Sequence, residues 1–315
     1  MSPVPVDLSI VVVSYNTREM LLDCLRATCS QSVPDGFTYE VIVVDNQSTD
    51  ASAEAVAERF PGVRLICLDT NVGFAAANNL GARVATGRLL LLLNPDTVVL
   101  DHAIEHAVSF HHRHPEAIVG GRTYFADGRL NPTSCHGWPT LWSVTCQGLG
   151  LSSIWRRSRL FNPEGLGAWR RDTVRTVPVV TGCFFLLPRT VWERLGGFDE
   201  SFFMYGEETD LCMRAAVAGV PRFINPEARL VHHGGASEPV RADKMIRLFR
   251  SKATLYRKHW SPIAAAYGVS MLKLWALSRL VAHWLRDRLA RRSIRSQEWA
   301  QIWRRRQEFS GSFPI

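Results

Sequence analysis

Asp96 stands just past an all-apolar run, Leu89–Leu93, after Asn94 and Pro95. A carboxylate at such a strand end is poorly suited to burial, so it either caps a turn or binds a cation. Oxygen ligands of this kind suit Mg2+ or Mn2+, ions that often bridge to substrate phosphates. Asp45 follows the apolar residues 41–44 in the same way. It opens Asp45-Asn46-Gln47-Ser48-Thr49-Asp50, which also reads as an ordinary turn and helix cap. Its place beside the first strand end points to a base or ribose contact. Glu207, Glu208 and Asp210 open a helical pattern. Acids there complement the helix dipole, and the same field keeps a carboxylate ionised, as a general base must be. Three acids in four residues exceed what capping needs. His232 and His233 end a short strand before Gly234 and Gly235. A neutral imidazole turned into a crevice could ligate a cation or contact a phosphate, and glycine beside it lets backbone come close to a ligand.

These residues need elements that bring them together. Residues 8–14, 41–44, 63–68 and 89–93 are apolar runs of strand length, and residues 17–28, 51–59 and 73–85 carry helical patterns between them. The alternation predicts an α/β fold with a mostly parallel sheet covered by helices on both faces. In such sheets ligands bind beyond the carboxyl ends of the strands. Ser14, Tyr15, Asn16, Asp45 and Asp96 are therefore expected to converge on one crevice. Further on, residues 176–187 form an apolar run broken by Pro178 and Gly182, Thr190 to Glu193 reads as a capping box, and residues 207–218 read as a helix stopped by Gly219. A short strand is expected at residues 229–233.

Residues 121–172 hold Trp138, Trp142, Trp155 and Trp169 among Gly, Pro and Arg with weak periodicity. They read as loops and short helices that either shape an acceptor site or pack on their own aromatics. From Arg241 onward the pattern is helical, broken at Pro262. Between residues 263 and 292, Lys273, Arg279, His283, Arg286 and Asp287 share one arc, and Leu and Trp fill much of the rest. Such a helix lies in a membrane interface or docks on the protein's own core.

The 315 residues carry a net +8, unevenly spread. Residues 1–240 hold 20 Lys and Arg against 25 Asp and Glu, a net of −5, whereas residues 241–315 hold 17 against 4, a net of +13. The basic character belongs to the tail, where it suits anionic lipid, nucleic acid or water. Two domains are expected, 1–240 and 241–315. The seven cysteines are scattered, with no zinc spacing, which favours a reducing compartment. No secretory signal and no spanning helix are expected.

Seven strings occur in order: Val13-Ser14-Tyr15-Asn16, Val43-Val44-Asp45-Asn46-Gln47-Ser48-Thr49-Asp50, Asn71-Val72-Gly73-Phe74-Ala75-Ala76-Ala77-Asn78-Asn79, Leu93-Asn94-Pro95-Asp96, Gly196-Gly197-Phe198-Asp199-Glu200, Met204-Tyr205-Gly206-Glu207-Glu208-Thr209-Asp210-Leu211 and His232-His233-Gly234-Gly235-Ala236-Ser237. Over roughly residues 8–260 the chain resembles glycosyltransferase family 2, with its Rossmann-like GT-A fold, and within it the rhamnosyltransferase-like bacterial enzymes. The resemblance implies that Tyr15, Asn16 and Asp45 hold the nucleoside and that the segment with Asn71, Gly73 and Asn78 lines the donor site. It implies that Asp96, in an Asn-Pro-Asp variant of the family's Asp-x-Asp motif, binds Mg2+ or Mn2+ alone or with His232. Glu208 takes the place of the catalytic base. The implied reaction moves a sugar, with inversion, from a dTDP- or UDP-sugar to a hydroxyl of a glycan or lipid-linked acceptor. The expected setting is cytoplasmic and peripheral, at the inner face of the membrane.

Two other classes compete: a glycoside hydrolase using Asp96 and Glu208 as its acid pair, and a membrane-associated carbohydrate-binding or scaffold protein on a transferase fold. Nucleic acid is not an expected partner, because no recognised reading motif accompanies the basic tail.

Overall fold

A computed structural model describes residues 6–234, 241–290 and 294–311. Residues 235–237, with the end of the last sequence string, lie outside them. The chain forms two compact units: one of residues 1–136, 170–203 and 207–237, the other of residues 137–169, 204–206 and 238–315.

The first unit is built from the apolar runs. Val, Ile and Leu without polar alternation can only sit in strands covered on both faces. β1 (Leu8–Ser14) is buried at every position, as is β4 (Leu89–Leu93). Between them come α1 (Arg18–Cys29), β2 (Tyr39–Asp45), α2 (Ser52–Arg59), β3 (Arg64–Cys67) and α3 (Phe74–Val84). The unit continues through β5 (Thr97–Val99), α4 (Ala103–Arg113), β6 (Ile118–Tyr124) and β7 (Cys135–His136). α5 (Leu141–Gly148) and α6 (Leu151–Ile154) belong to the second unit. The first resumes with β8 (Arg175–Thr176), β9 (Val179–Val180), β10 (Phe184–Pro188), α7 (Arg189–Leu195), α8 (Glu207–Val217) and β11 (Arg222–His232).

Strand order in the main sheet is β3-β2-β1-β4-β10-β6-β11-β5, with β8 paired to β11. β1 runs parallel to β2 and to β4, with Ser14 opposite Asp45 and Val12 opposite Leu93. This is the parallel part the sequence predicts. β10 enters antiparallel, with Phe184 opposite Leu93 and Pro188 opposite Leu89. Its start therefore lies at the same edge as the end of β4, so residues 181–183 join that rim. Cys183 accepts a hydrogen bond there from the Asn94 N–H at 3.3 Å.

Two local expectations change. Thr190 caps nothing: α7 begins at Arg189 on Pro188, with no side-chain cap. The strand expected at residues 229–233 is part of the eleven-residue β11, whose register shifts between Asn225 and Arg229. Pro226 lacks an N–H, and a bulge is where a strand tolerates that.

The second unit is helical. α9 (Arg241–His259), α10 (Pro262–Ala290), α11 (Ile294–Arg304) and α12 (Gln307–Ser310) pack with α5 around Phe249, Tyr256, Leu272, Ala276, Trp299 and Ile302. Thr140 and Ser143 form a capping box that starts α5. No helix among the described residues is long and apolar enough to cross a membrane.

Candidate active site

The adjacent ends of β2, β1 and β4 set the floor of the site. Asp45 is the last residue of β2 and is buried at 3 % exposure. Its Oδ2 accepts from the Ser48 N–H at 2.9 Å, while its Oδ1 is buried with no partner among the described residues. A buried acceptor without a donor is costly, so this oxygen has room for one.

Past β1, Tyr15 and Asn16 are exposed. Asn16 has φ 52°, and its N–H donates to Ser48 Oγ at 2.9 Å. Its Oδ1 accepts from the Thr49 N–H at 2.7 Å, and the Arg18 N–H donates to Asp50 Oδ2 at 2.9 Å. The turns after β1 and β2 are thus stitched into one surface.

Asn46, which the sequence shows only as part of a turn, organises the next segment. Its Nδ2 donates to Asn71 Oδ1 at 3.0 Å and to the Gly73 carbonyl at 3.3 Å, and its Oδ1 accepts from the Val72 N–H at 3.0 Å. Gly73 has φ +87°, and a Cβ there would lie 2.4 Å from the Phe203 carbonyl oxygen. Only glycine allows both the backbone conformation and the approach. The Phe74 N–H then donates to that same carbonyl at 2.7 Å. The loop at residues 71–73 is in this way tied to Phe203, just ahead of α8. Asn78 stays within its helix: it is buried, and its Nδ2 donates to the Phe74 carbonyl at 2.9 Å.

Beyond β4, Asp96 is 7 % exposed and lies 3.4 Å from His232 Nε2. Burial pushes the Asp96 carboxyl upward, but the hydrogen bond and charge of His232, with backbone N–H donors, outweigh it and hold the carboxyl below its ordinary value. β11 delivers His232, and its backbone is fixed by Asn131, whose Nδ2 donates to the His232 carbonyl at 3.2 Å. Asn94 Oδ1 and His232 Nδ1 are buried without partners among the described residues. Hard oxygen and imidazole nitrogen donors fit Mg2+ or Mn2+. Among the described residues no cluster of three or more His, Cys, Asp or Glu could hold such an ion unaided. A diphosphate and water would have to complete its ligands.

α8 packs beside β9, just before the residues that join this rim. Cys212 Sγ lies against the Val180 carbonyl at 3.8 Å and feels the charge of Glu208, while Cys183 feels that of Asp96. The Thr181 N–H donates to the Ser134 carbonyl at 3.1 Å, and Thr209 Oγ1 lies 3.4 Å from His136 Nε2. Asp210 is taken up by an ion pair with Arg214 at 2.7 Å. Glu208 is partly exposed, with Oε2 buried and unpartnered among the described residues.

Glu207 is 4 % exposed. Burial, then the charge of Glu208 and a hydrogen bond with it, push the Glu207 carboxyl well above its ordinary value. An acid whose folded pKa is raised binds more protons folded than unfolded, so its contribution to stability falls as pH rises above the unfolded value of about 4.5. Glu207→Gln removes that dependence. The melting temperature of this variant is expected to gain on wild type between pH 5 and pH 8, read by calorimetry across that range. A constant difference across the range would mean that Glu207 is ionised in the fold.

A Rossmann-like sheet with a paired carboxylate and imidazole at its carboxyl edge, together with an acid-headed helix, matches the GT-A type. Residues 9–196 match the family described as Glycosyl transferase family 2. The chain belongs to that family and is a glycosyltransferase. It is 32 % identical over 210 residues to the O-antigen biosynthesis protein RfbC of Myxococcus xanthus, covering 65 % of this chain and only 16 % of that longer protein. It is 29 % identical over 242 residues to the N-acetylglucosaminyl-diphospho-decaprenol L-rhamnosyltransferase of Mycobacterium tuberculosis, covering 72 % of this chain and 76 % of the relative. Its fold is similar to that of the mannosyltransferase PcManGT from Pyrobaculum calidifontis in complex with GDP-Man and Mn2+, with TM-score 0.57, 18 % identity and coverage of 98 % and 87 % of the two chains. It is likewise similar to GalNAc-T7 with UDP, GalNAc and Mn2+, with TM-score 0.57, 16 % identity and coverage of 80 % and 51 %.

Proposed function

We propose that the chain moves a sugar from a nucleoside-diphosphate donor, dTDP-rhamnose or a UDP-sugar, to a hydroxyl of a glycan or lipid-linked acceptor in cell-envelope polysaccharide synthesis. The pairing of Asp96 with His232, on the rim where Asp45 presents an unpartnered buried oxygen, carries this reading. The names of the two relatives support the acceptor and sugar classes. A lipid-linked acceptor puts the enzyme at the cytoplasmic face of the membrane as a peripheral protein.

In this reading Asp45 Oδ1 takes a hydrogen bond from the base or ribose. Tyr15 covers the nucleoside, and Asn16 fixes the turn that presents it. Asn71 and Gly73 shape the donor loop, with Asn78 supporting it from below. Asp96 and His232 would hold Mg2+ or Mn2+, which would supply positive charge against the charge growing on the departing diphosphate. Glu208 takes the proton from the acceptor hydroxyl as its oxygen bonds to the anomeric carbon, from the face opposite the diphosphate. The bond to the diphosphate oxygen breaks in the same displacement, and the anomeric centre inverts. Holding both substrates in line supplies much of the rest.

A thermal-shift screen tests the donor side. At about a hundredfold excess over Kd, dTDP or UDP is expected to raise Tm by roughly 5–10 °C with Mn2+ present, and by less without it. If no nucleoside diphosphate shifts Tm with or without Mn2+, the reading fails.

A further inference from the structure

α10 has an apolar inner stripe in its first half and an exposed apolar arc in its second. Its buried stripe, Ala265, Val269, Leu272 and Ala276, faces the unit's own helices. The charged arc of its second half continues that stripe. Arg279 donates to Ser153 Oγ, His283 stacks on Trp299 with ring centroids 6.4 Å apart, and Asp287 accepts from the Ser296 N–H at 3.0 Å. The opposite arc meets water: Ile263 is 86 % exposed, Val281 47 %, Trp284 45 %, Leu285 51 % and Leu289 89 %.

α5 and α6 run alongside and extend the same surface. Thr145 Oγ1 and Tyr267 Oη are hydrogen-bonded at 2.6 Å, and the Ser153–Arg279 contact ties the next turns. This edge adds Trp142, Ile154 and Trp155, exposed by 45 %, 69 % and 48 %. Trp142 Nε1 donates to the Leu160 carbonyl at 2.7 Å, so its polar atom is satisfied and its ring remains for an apolar contact. Arg156, Arg157 and Arg159 are exposed beside Trp155, and the Arg288 guanidinium lies 4.2 Å over the Trp284 ring.

We propose that this face, formed by the outer arc of α10 with the α5–α6 edge, is the surface by which the chain docks onto an anionic lipid bilayer. The inference deepens the lipid-linked-acceptor reading and rests on it. Charge selects the occupant. The helical unit carries 20 Lys and Arg against 6 Asp and Glu, a net +14, while the sheet unit carries 17 against 23. A second copy meeting this face by a twofold axis would oppose like charge to like charge. Anionic headgroups offer the complementary sign, and the acyl boundary accepts Trp, Leu and Ile. No described helix can span, so the unit lies in the interface plane.

The test is co-sedimentation of the full chain with vesicles of phosphatidylcholine, alone or mixed with phosphatidylglycerol. Binding is expected to the anionic vesicles, weakening at high salt. Trp284→Glu with Leu285→Glu, and separately Ile154→Glu with Trp155→Glu, are expected to cut the bound fraction about tenfold or more. Circular dichroism and donor turnover with a soluble acceptor should stay unchanged. Should a variant misfold, quenching of wild-type indole fluorescence by brominated lipid reads the same contact. Wild-type protein that ignores anionic vesicles, or variants that bind as well as wild type, would overturn the proposal. A dimer on gel filtration that the variants convert to monomer would also overturn it, because a second copy then covers the face. Glu208→Gln should bind vesicles normally, so a failed transfer mechanism is read apart from a failed docking surface.

Discussion

Glu208→Gln is expected to lower kcat for sugar transfer by about three orders of magnitude while leaving donor KM within about threefold. Gln keeps the shape of the side chain at the first turn of α8 but cannot accept the acceptor's proton. The proposed donor site lies at the ends of β1, β2 and β4, so its groups are untouched. Release of nucleoside diphosphate under saturating donor and acceptor measures the effect. Glu207→Gln is the control. Burial raises the Glu207 carboxyl, so an amide matches its neutral form, and kcat is expected to stay within about fivefold of wild type. The reverse pattern, an inactive Glu207 variant beside an active Glu208 variant, would move the base to Glu207.

Asp96→Asn is expected to lower kcat/KM by about a hundred- to a thousandfold and to abolish the Mn2+-dependent part of the nucleotide thermal shift. The change keeps volume and a carbonyl oxygen but removes the charge that pairs with His232 at 3.4 Å. Asp96 is held below its ordinary carboxylate value, so in wild type its charge survives down to acid pH and the stability it adds is lost only as pH falls through that lowered value. Any acid limb of activity near neutrality is expected to come from another group. A variant that retains its Mn2+-dependent shift would detach Asp96 from the cation. A variant that retains kcat/KM would detach it from catalysis altogether.

Much of the sheet unit was open to sequence reasoning because its elements are locally overdetermined. Unbroken Val, Ile and Leu between cap-and-turn strings admits few conformations, and β1 and β4 occupy the expected residues. A polar residue at the end of such a run cannot be buried without a partner, which is how Asp45 and Asp96 drew attention. Asn46 escaped because its three contacts are with residues 71–73, some 25 positions away in the chain. Glu207 and Glu208 look alike in sequence. Their difference is burial, which sets one as an acid and leaves the other partly open. Thr190 shows the opposite failure: a correct local pattern lost to Pro188, which the chain reaches first.

The sequence by itself determined the parallel core, the strand ends that carry Asp45 and Asp96, the acidic head of α8 and the concentration of positive charge after residue 240. These follow from hydrophobic period, turn chemistry and charge, all of which act between near neighbours. Tertiary structure alone decided that β10 runs antiparallel beside β4, that His232 meets Asp96, and that the second half of α10 turns Arg279, His283 and Asp287 inward and Val281, Trp284 and Leu285 to water. Each of these depends on which distant surface an element finds. Strand pairing and helix docking satisfy backbone groups and apolar area over the whole chain, and no local window contains that sum.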